Sequence, residues 1–272
     1  MDLFTEDIAL KSHKAIKDSV DNISLNEGLD NNKLNVLINI LKNDGRKNVI
    51  ALGTKLQRSK DKIIKEIERV KTMYNFDKSF GDYKYVAGVD EVGRGPLAGP
   101  IVACAVILDI STLEEELILG INDSKKVSEK KREELSIIIK EKALAYNISV
   151  SSNEEIDNKG IAYSNNKIFL EACNSMAIIP ELVLSDGYLV KGIQIENKAV
   201  IKGDTKSACI AAASIVAKVY RDNLMKEYAK QYPQYHFEDN VGYGTSKHIE
   251  CLKKYGPCSI HRMSFLTKIL QF

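Results

Sequence analysis

Residues 85–108 read YVAGVDEVGRGPLAGPIVACAVIL, and this stretch decides the fold class. It holds two short apolar runs, 85–90 and 100–108, whose length and β-branched content predict two buried strands. Further strand-like runs follow at 148–151, 182–184 and 199–201. Helical patterns are expected at 128–146, 160–176, 205–231 and 246–254. Because the early strands are consecutive and the later ones alternate with helices, we expect an α/β domain with a mixed sheet.

The chain before this domain has a different composition. Residues 1–82 contain no proline, and the runs 33–42 and 57–74 place apolar side chains at helical spacing. We therefore predict a helical extension over 1–82 and an α/β domain over 83–272. The stretch 42–71 holds ten basic and four acidic residues, a local charge of +6. A solvated helix face is the plainer interpretation, and an arm that tracks phosphates is the alternative.

Bulk composition limits the class of protein but says little about its partners. The chain has 272 residues, 44% of them hydrophobic, and a net charge of +2, so only local charge can indicate a ligand. No apolar run approaches the roughly 18 residues that a membrane span needs. The acidic start MDLFTEDIAL lacks the basic region of a signal peptide, and the five cysteines form no CxxC. These features predict reduced thiols and a cytoplasmic location.

Acidic side chains end two of the predicted strands. Asp90 and Glu91 close the first strand and precede Gly93-Arg94-Gly95, whose backbone amides could approach a ligand closely. Asp186 closes the run at 182–184. Adjacent strands that end in acids at one edge of a sheet would bring their carboxylates together. A strand running into solvent, and an ordinary Asp-Gly turn, are the structural alternatives.

Three other positions could belong to the same site. Asp204 precedes the long alanine-rich helix, where it could bind a metal ion, act as the helix N-cap, or do both. Lys125 and Lys126 lie in a predicted loop, where they are either solvated or able to hold a phosphate. Tyr243 lies between two glycines and could stack on a sugar or base, or simply pack against a loop.

Two other motif matches are weak. Gly93, Gly95 and Ala98 fit the dinucleotide-binding spacing, but a strand rather than a helix is predicted to follow them. Zinc could be bound by the run of potential ligands near the C-terminus, yet its spacing matches no common zinc finger. These ligands are His248, Cys251, Cys258 and His261. We therefore expect neither a nucleotide cofactor nor zinc.

Several of these motifs occur together and in one order. They are residues 85–108 quoted above, NDSKKVSEKKREEL from 122, LVLSDG from 182, IKGDTKSACIAAASIVAKVYRD from 201 and GYGTSKHIECLKKYGPCSIHRMSF from 242. As a set they resemble the bacterial ribonuclease HII family over residues 85–265. Residues 1–82 more weakly resemble the helical extension of some members from Gram-positive bacteria. The resemblance implies a ribonuclease H-like fold, with a mixed five-stranded sheet flanked by helices and a C-terminal helical part.

The same resemblance implies an activity and assigns roles to residues. It implies an endonuclease that cuts the RNA strand of RNA/DNA hybrids and nicks 5′ of a single ribonucleotide in duplex DNA. We separately expect the protein to be a monomer. The family's four active-site acids correspond to Asp90, Glu91, Asp186 and Asp204. Its substrate-binding motif and tyrosine correspond to Gly93, Arg94, Gly95 and Tyr243. A purely carboxylate site suits two Mg²⁺ or Mn²⁺ ions. A DNA-directed nuclease and an inactive nucleic-acid-binding protein on this fold are the competing hypotheses.

Overall fold

The chain folds into two compact units. A computed structural model describes residues 8–23 and 31–270. The described residues up to Arg69, together with Leu113–Leu117, form the N-terminal unit. Val70–Thr112 and the residues from Ile118 onward form the second unit, which is named the catalytic unit below.

The N-terminal unit is helical, as predicted. A short 3₁₀ turn, Ile8–Leu10, precedes α1 (His13–Asp21), α2 (Asn31–Lys42) and α3 (Lys47–Lys78). The predicted apolar face of α2 is buried in the core of this unit, where it meets side chains of α1 and α3. Its members are Leu34, Leu37, Ile38 and Leu41. The predicted stripe on α3 is less regular, because Val70 and Met73 are buried whereas Ile64 is exposed.

The catalytic unit is built on a mixed five-stranded sheet, which confirms the predicted fold class. Its strands are β1 (Val86–Val92), β2 (Ile101–Ile107), β3 (Ala145–Ser151), β4 (Leu182–Asp186) and β5 (Glu196–Val200). Across the sheet their order is β3-β2-β1-β4-β5. The first three strands form an antiparallel meander, and β4 and β5 run parallel to β1. The carboxyl ends of β1, β4 and β5 therefore lie at the same edge of the sheet.

Helices connect and cover these strands. They are α4 (Glu129–Lys142), α5 (Asn153–Lys159), α6 (Ile161–Asn174), α7 (Ala208–Gln231), α8 (Phe237–Asn240), α9 (Ser246–Tyr255) and α10 (Met263–Leu270). The helix predicted at 128–146 ends at Lys142 and gives way to β3, and the one predicted at 205–231 begins at Ala208. The C-terminal helices pack around Tyr235, Phe237 and Leu252, as the predicted C-terminal helical part requires. In the described part of the chain, no helix is both long and apolar enough to cross a bilayer.

The sheet is covered by different helices on its two faces. Alternate residues Ala87 and Val89 of β1 pack with α6 in one apolar core. Gly88 and Asp90 point to the opposite face, because successive side chains of a strand alternate. Helix α7 lies so close to this face that a Cβ at Gly88 would overlap the backbone of Cys209. The small side chains of α7 allow this approach, since its residues from Ala208 to Ala217 are buried.

The last turns of α3 belong to the catalytic unit, because the two compact units divide after Arg69. Asp77 is fully buried, and its Oδ2 accepts a hydrogen bond of 3.0 Å from the backbone N–H of Cys209 in the first turn of α7. Burial raises the pKa of Asp77 to about 6. Since Val70, Met73 and Tyr74 are buried as well, the catalytic unit includes the end of α3.

Candidate active site

The acids at the ends of β1 and β4 meet in one cavity. The parallel register pairs Val89 with Ser185, so Asp90 and Asp186 are the next residues on neighbouring strands. Asp90, Glu91 and Asp186 all line a cavity of about 480 Å³ at this edge of the sheet. The convergence expected from the strand ends is thus present in the structure.

Asp204 lines the same cavity, but it does not cap α7. It lies in a 3₁₀ turn, Gly203–Thr205, that precedes the helix. The N-cap is Ser207, whose hydroxyl accepts a hydrogen bond of 3.1 Å from the N–H of Ile210. The N-cap interpretation of Asp204 is therefore wrong, because the helix begins one turn later than the sequence suggested. Asp186 Oδ1 accepts from the N–H of Gly203 at 2.7 Å, which ties this turn to the end of β4.

The four carboxylates share one cavity, and burial disfavours the charged form of three of them. Asp90 is only 7% exposed, and burial, with Glu91 and Asp186 nearby, raises its pKa well above the usual value. Burial also raises the pKa of Glu91 to about 7, although Arg94 acts in the opposite direction. The pKa of Asp204 rises to about 6, mainly through burial. Such a cluster is stabilised by a bound cation, since like charges in a low-dielectric site repel one another.

The donor set of this cavity fits a hard divalent cation. Its four acids offer only carboxylate oxygens, the ligands that Mg²⁺ and Mn²⁺ prefer. Among the described residues, no three of these acids bring oxygens within 4.8 Å of one another, so they line the walls of an open cavity. A second cavity of about 480 Å³ shares Glu91, Asp186 and Asp204 with the first, which widens the acidic surface.

The Gly93-Arg94-Gly95 loop follows β1 and lines the same cavity. Gly93 has a φ of +90°, and a Cβ there would overlap the guanidinium of Arg221. Arg262 donates to the carbonyls of Gly93 and Arg94 at 2.6 and 3.0 Å, from the side of the loop that faces the protein interior. The loop conformation is thus fixed by buried contacts, and its exposed side is left for a ligand.

Two buried arginines hold the loops of the site, and neither was predicted from the sequence. Each guanidinium donates to three backbone carbonyls, and both side chains are fully buried. Arg221 bonds to the carbonyls of Ala98, Pro100 and Val241. Arg262 bonds to those of Gly93, Arg94 and Gly99. In the sequence they look like ordinary surface charges of a helix and a loop, so no local signal identifies them.

The two predicted lysines occupy a 3₁₀ turn, Ser124–Lys126, beside the acids. Lys125 lines the cavity of the four acids, and Lys126 lines the second cavity. The turn is held by Asp123, which accepts from the N–H of Lys125 at 3.0 Å, and by the hydroxyls of Ser124 and Ser214, 3.0 Å apart. Lys218 of α7 also lines the first cavity, a position that sequence reasoning missed.

Tyr243 also lines this cavity. Its side chain is 38% exposed, and a Cβ on Gly95 would be 3.9 Å from its ring. Gly242 precedes it with a φ of +86°, and any side chain there would overlap the carbonyl of Ala98. The structure therefore brings the tyrosine and the glycine loop together at one cavity, as expected from the sequence.

The potential zinc ligands near the C-terminus do not converge on one point. No three of His248, Cys251, Cys258 and His261 offer ligand atoms within 4.8 Å of one another, as judged over the described residues. Instead, the Nε2 atoms of the two histidines lie 3.0 Å apart in a hydrogen bond.

The mixed sheet and the carboxylate cavity at its edge define a nuclease of the ribonuclease H-like class. The ribonuclease HII family model matches residues 87–268, and the model of the ribonuclease HII N-terminal domain matches residues 16–81. The chain belongs to the ribonuclease HII family, and it is a ribonuclease H enzyme.

Individual relatives agree with this assignment. The chain is 67% identical to a ribonuclease HII of Clostridium beijerinckii over 267 residues, which cover 98% of this chain and 99% of that one. The ribonuclease H2 structure of Pyrococcus horikoshii OT3 is similar at 27% identity with a TM-score of 0.59, over 69% of this chain and 97% of that chain. A Bst ribonuclease HIII in complex with Mn²⁺ shares the fold, at 20% identity and a TM-score of 0.53, over 69% of each chain.

Proposed function

We propose that this ribonuclease H hydrolyses the RNA strand of RNA/DNA hybrids and also nicks duplex DNA on the 5′ side of a single embedded ribonucleotide. The products would carry a 5′-phosphate and a 3′-hydroxyl. The observation that carries the proposal is the single cavity lined by four carboxylates, the Gly93-Arg94-Gly95 loop and Tyr243. The carboxylates suit phosphodiester hydrolysis. The Gly93-Arg94-Gly95 loop and Tyr243 suit contact with one sugar.

The acids would hold Mg²⁺ or Mn²⁺, and the manganese in the ribonuclease HIII structure is in keeping with this choice. When bound, such ions activate water and neutralise the charge that develops on the phosphate. Asp90, Glu91, Asp186 and Asp204 would supply the ligands. Lys125, at the rim beside them, would bind a flanking phosphate, and Lys126 would do so in the neighbouring cavity.

Recognition of RNA requires a contact with the 2′-hydroxyl, which DNA lacks. The carbonyls of Gly93 and Arg94 are already bonded to Arg262, so the loop can present its amide groups and the Arg94 side chain to the substrate. The Arg94 guanidinium stacks at 4.9 Å from the ring centre of Tyr188, which limits its freedom. Tyr243 would pack against the next sugar. A site that recognises the substrate in this way needs one ribonucleotide rather than several in a row.

The substitution Tyr243→Ala should lower cleavage at a single ribonucleotide more than cleavage of a long hybrid. Loss of aromatic stacking costs about 1–3 kcal/mol at nucleic-acid sites. A long hybrid offers alternative registers and should suffer less. The measurement is kcat/KM for both substrates in Mg²⁺. Tyr255→Ala, which removes an exposed tyrosine outside the cavity, is the control. Equal losses on both substrates, or no loss, would mean that Tyr243 only packs against its loop.

A comparison of matched duplexes separates the proposal from its two alternatives. One duplex is all DNA, and the other contains a single ribonucleotide at its centre. We expect cleavage of the second alone, at its 5′ DNA–RNA junction, with either Mg²⁺ or Mn²⁺. Cleavage of both would favour a DNA-directed nuclease, and binding without cleavage would favour an inactive binder.

The basic stretch of the N-terminal unit suits contact with substrate phosphates. Its helix α3 has a groove of about 620 Å³ lined by Lys47, Arg58 and Lys62, among others. Neutralising these three residues to Gln should weaken substrate binding and reduce its salt dependence. The slope of log K against log salt should change by about 0.9 for each phosphate that the variant no longer neutralises.

A charge-matched control makes the salt measurement specific. Lys14, Lys17 and Lys33 are exposed in the same unit outside this groove, and their change to Gln removes the same charge. If both triple variants alter the slope equally, the groove has no special role. Substitution is preferable to deleting residues 1–82, because that deletion would also remove Asp77 from the catalytic unit.

We also propose that the protein is a cytoplasmic monomer. All five cysteines are unpaired in the structure, and three of them are buried, which suits a reducing compartment. Light scattering after size-exclusion chromatography would test the monomer. A dimer at micromolar concentration would contradict it.

A further inference from the structure

A buried pair of histidines connects the C-terminal segment to the substrate-binding tyrosine. The Nε2 atoms of His248 and His261 lie 3.0 Å apart, and both side chains are closed to solvent. On one side of the pair, the backbone nitrogen of Cys258 lies 2.9 Å from Nδ1 of His261. On the other side, Nδ1 of His248 lies 2.8 Å from the carbonyl oxygen of Tyr243. The four residues form one continuous chain of hydrogen bonds.

The donor and the acceptor of every hydrogen bond in this series follow from the first donor, the backbone N–H of Cys258. A backbone N–H can only donate, so Nδ1 of His261 accepts and the proton of this neutral ring is on Nε2. That proton is donated to Nε2 of His248, which leaves the proton of His248 on Nδ1. His248 therefore donates to the carbonyl of Tyr243. Burial lowers the pKa of both rings, that of His261 to about 4, so both are neutral near pH 7.

Two aromatic side chains fix the rings in place. Tyr235 lies edge-on to His261 with 4.9 Å between ring centres, and Phe237 lies edge-on to His248 at 5.5 Å. Tyr235 and Phe237 are themselves buried. The imidazoles cannot turn without disturbing this packing, so the chain ends on the Tyr243 carbonyl in one orientation.

The loop that carries Tyr243 needs such support. Val241 has a φ of +43°, a left-handed conformation that is unfavourable for a β-branched residue. Backbone of this kind persists only where its surroundings hold it. The Tyr243 carbonyl accepts a second hydrogen bond, 2.8 Å long, from the N–H of Thr245. Thr245 is the N-cap of α9, the helix that carries His248.

We propose that His248 and His261 are positioning residues that orient Tyr243 through its backbone carbonyl and so set the preference for a single ribonucleotide. The inference rests on the proposed role of Tyr243. Neither imidazole is among the described residues that line the cavity, so the histidines would act without touching the substrate.

Two substitutions at His248 separate the two bonds that this ring makes. In Asn, the amide nitrogen is three bonds from Cα, like Nδ1 of histidine, so His248→Asn can still donate to Tyr243. In Gln, the terminal atoms are four bonds from Cα, like Nε2, so His248→Gln can meet His261 but not Tyr243. Each variant keeps one partner and loses the other, so the pair tells which of the two hydrogen bonds matters.

We expect His248→Gln to lower kcat/KM on the single-ribonucleotide duplex about 2- to 10-fold, the range for loss of one hydrogen bond. His248→Asn should restore most of this activity, and a long hybrid should be affected less by either. In a Tyr243→Ala background, His248→Gln should cause no further loss. Cys251→Ala, on the same helix and in the same core, controls for a general loss of packing. It should keep the wild-type preference for the single-ribonucleotide duplex. Equal losses for Gln and Asn, or additive losses in the double variant, would overturn the inference.

A measurement on the wild-type protein is independent of activity. In ¹⁵N-labelled protein, long-range ¹H–¹⁵N spectra should show the proton on Nδ1 of His248 and on Nε2 of His261. The opposite tautomer of either ring would refute the chain itself. If the tautomers are as expected but Tyr243→Ala leaves the substrate preference unchanged, the proposed role of Tyr243 fails, and the chain holds the loop without setting specificity.

Discussion

Asp90→Asn should abolish cleavage while leaving hybrid binding largely intact. Asp90 lies near the end of β1, next to Glu91 in sequence and close to Asp186 of the neighbouring strand, where its charge would be required to hold a divalent ion. Loss of metal-assisted charge stabilisation removes several kcal/mol, so we expect kcat to fall at least about 1,000-fold. The proposed phosphate contacts are made by other side chains, Lys125 and the basic residues of α3, so affinity should change little.

The same substitution should stabilise the metal-free protein. The folded state raises the pKa of Asp90, so this group takes up a proton more readily when folded than when unfolded. Its contribution to stability therefore falls as pH rises above the unfolded value of about 4. Asn carries no charge at any pH and removes this penalty. In a chelator at pH 7, Asp90→Asn should melt at a higher temperature than the wild type.

Activity, binding and melting temperature together give the test. Turnover is measured in Mg²⁺ and in Mn²⁺, binding to an uncut hybrid is measured in a chelator, and circular dichroism reports the fold. Asp82→Asn, which changes an exposed acid outside the cavity, is the control and should behave as the wild type. Near-normal turnover of Asp90→Asn in Mg²⁺ would show that this acid is not a metal ligand.

Gly88→Ala should destabilise the catalytic unit severely. Gly88 lies on β1 two residues before Asp90, and an added Cβ would overlap the backbone carbonyl group of Cys209 and the nitrogen of Ile210. Backbone atoms of α7 cannot rotate away as a side chain could, so the helix would have to move off the sheet. We expect a loss of about 3 kcal/mol or more, the upper range for overpacking of a core.

Urea denaturation would measure this loss. Gly45→Ala is the matched control, because nothing lies within 4 Å of the added Cβ there and its backbone has no left-handed φ. We expect that variant to stay within about 0.5 kcal/mol of the wild type. A mild effect of Gly88→Ala would mean that α7 packs less tightly on β1 than the structure indicates.

Part of the cavity could be predicted from the sequence, namely the part whose geometry is decided by residues close together in the chain. Asp90 and Asp186 each end an apolar run, and the parallel pairing of two such strands places both carboxylates at one edge. The role of Asp204 as a cap was mispredicted, because Asp204 and Ser207 are both good N-caps and only the helix start decides between them. The compact units divide inside α3, after Arg69, whereas the two family models meet between residues 81 and 87, close to the predicted boundary.

Contacts between residues that lie far apart in the sequence could not be predicted. Arg221 and Arg262 bond to carbonyls more than 100 residues away along the chain, apart from the bond to Val241. The histidine pair was visible in the sequence as His248 and His261. Their residue types raised the possibility of zinc, which the spacing did not support, and a sequence does not show that the two ring nitrogens bond to one another.

The two interior guanidinium groups behind the glycine loop have a consequence for electrostatics. Burial lowers the pKa of both, to about 10 for Arg221 and about 9 for Arg262, so each still carries its charge under physiological conditions. Mobile ions cannot approach these charges, so added salt screens them far less than it screens surface lysines. They maintain a positive electrostatic potential beneath the Gly93-Arg94-Gly95 loop. Attraction of a phosphate to this spot should persist at ionic strengths that abolish binding by the surface lysines.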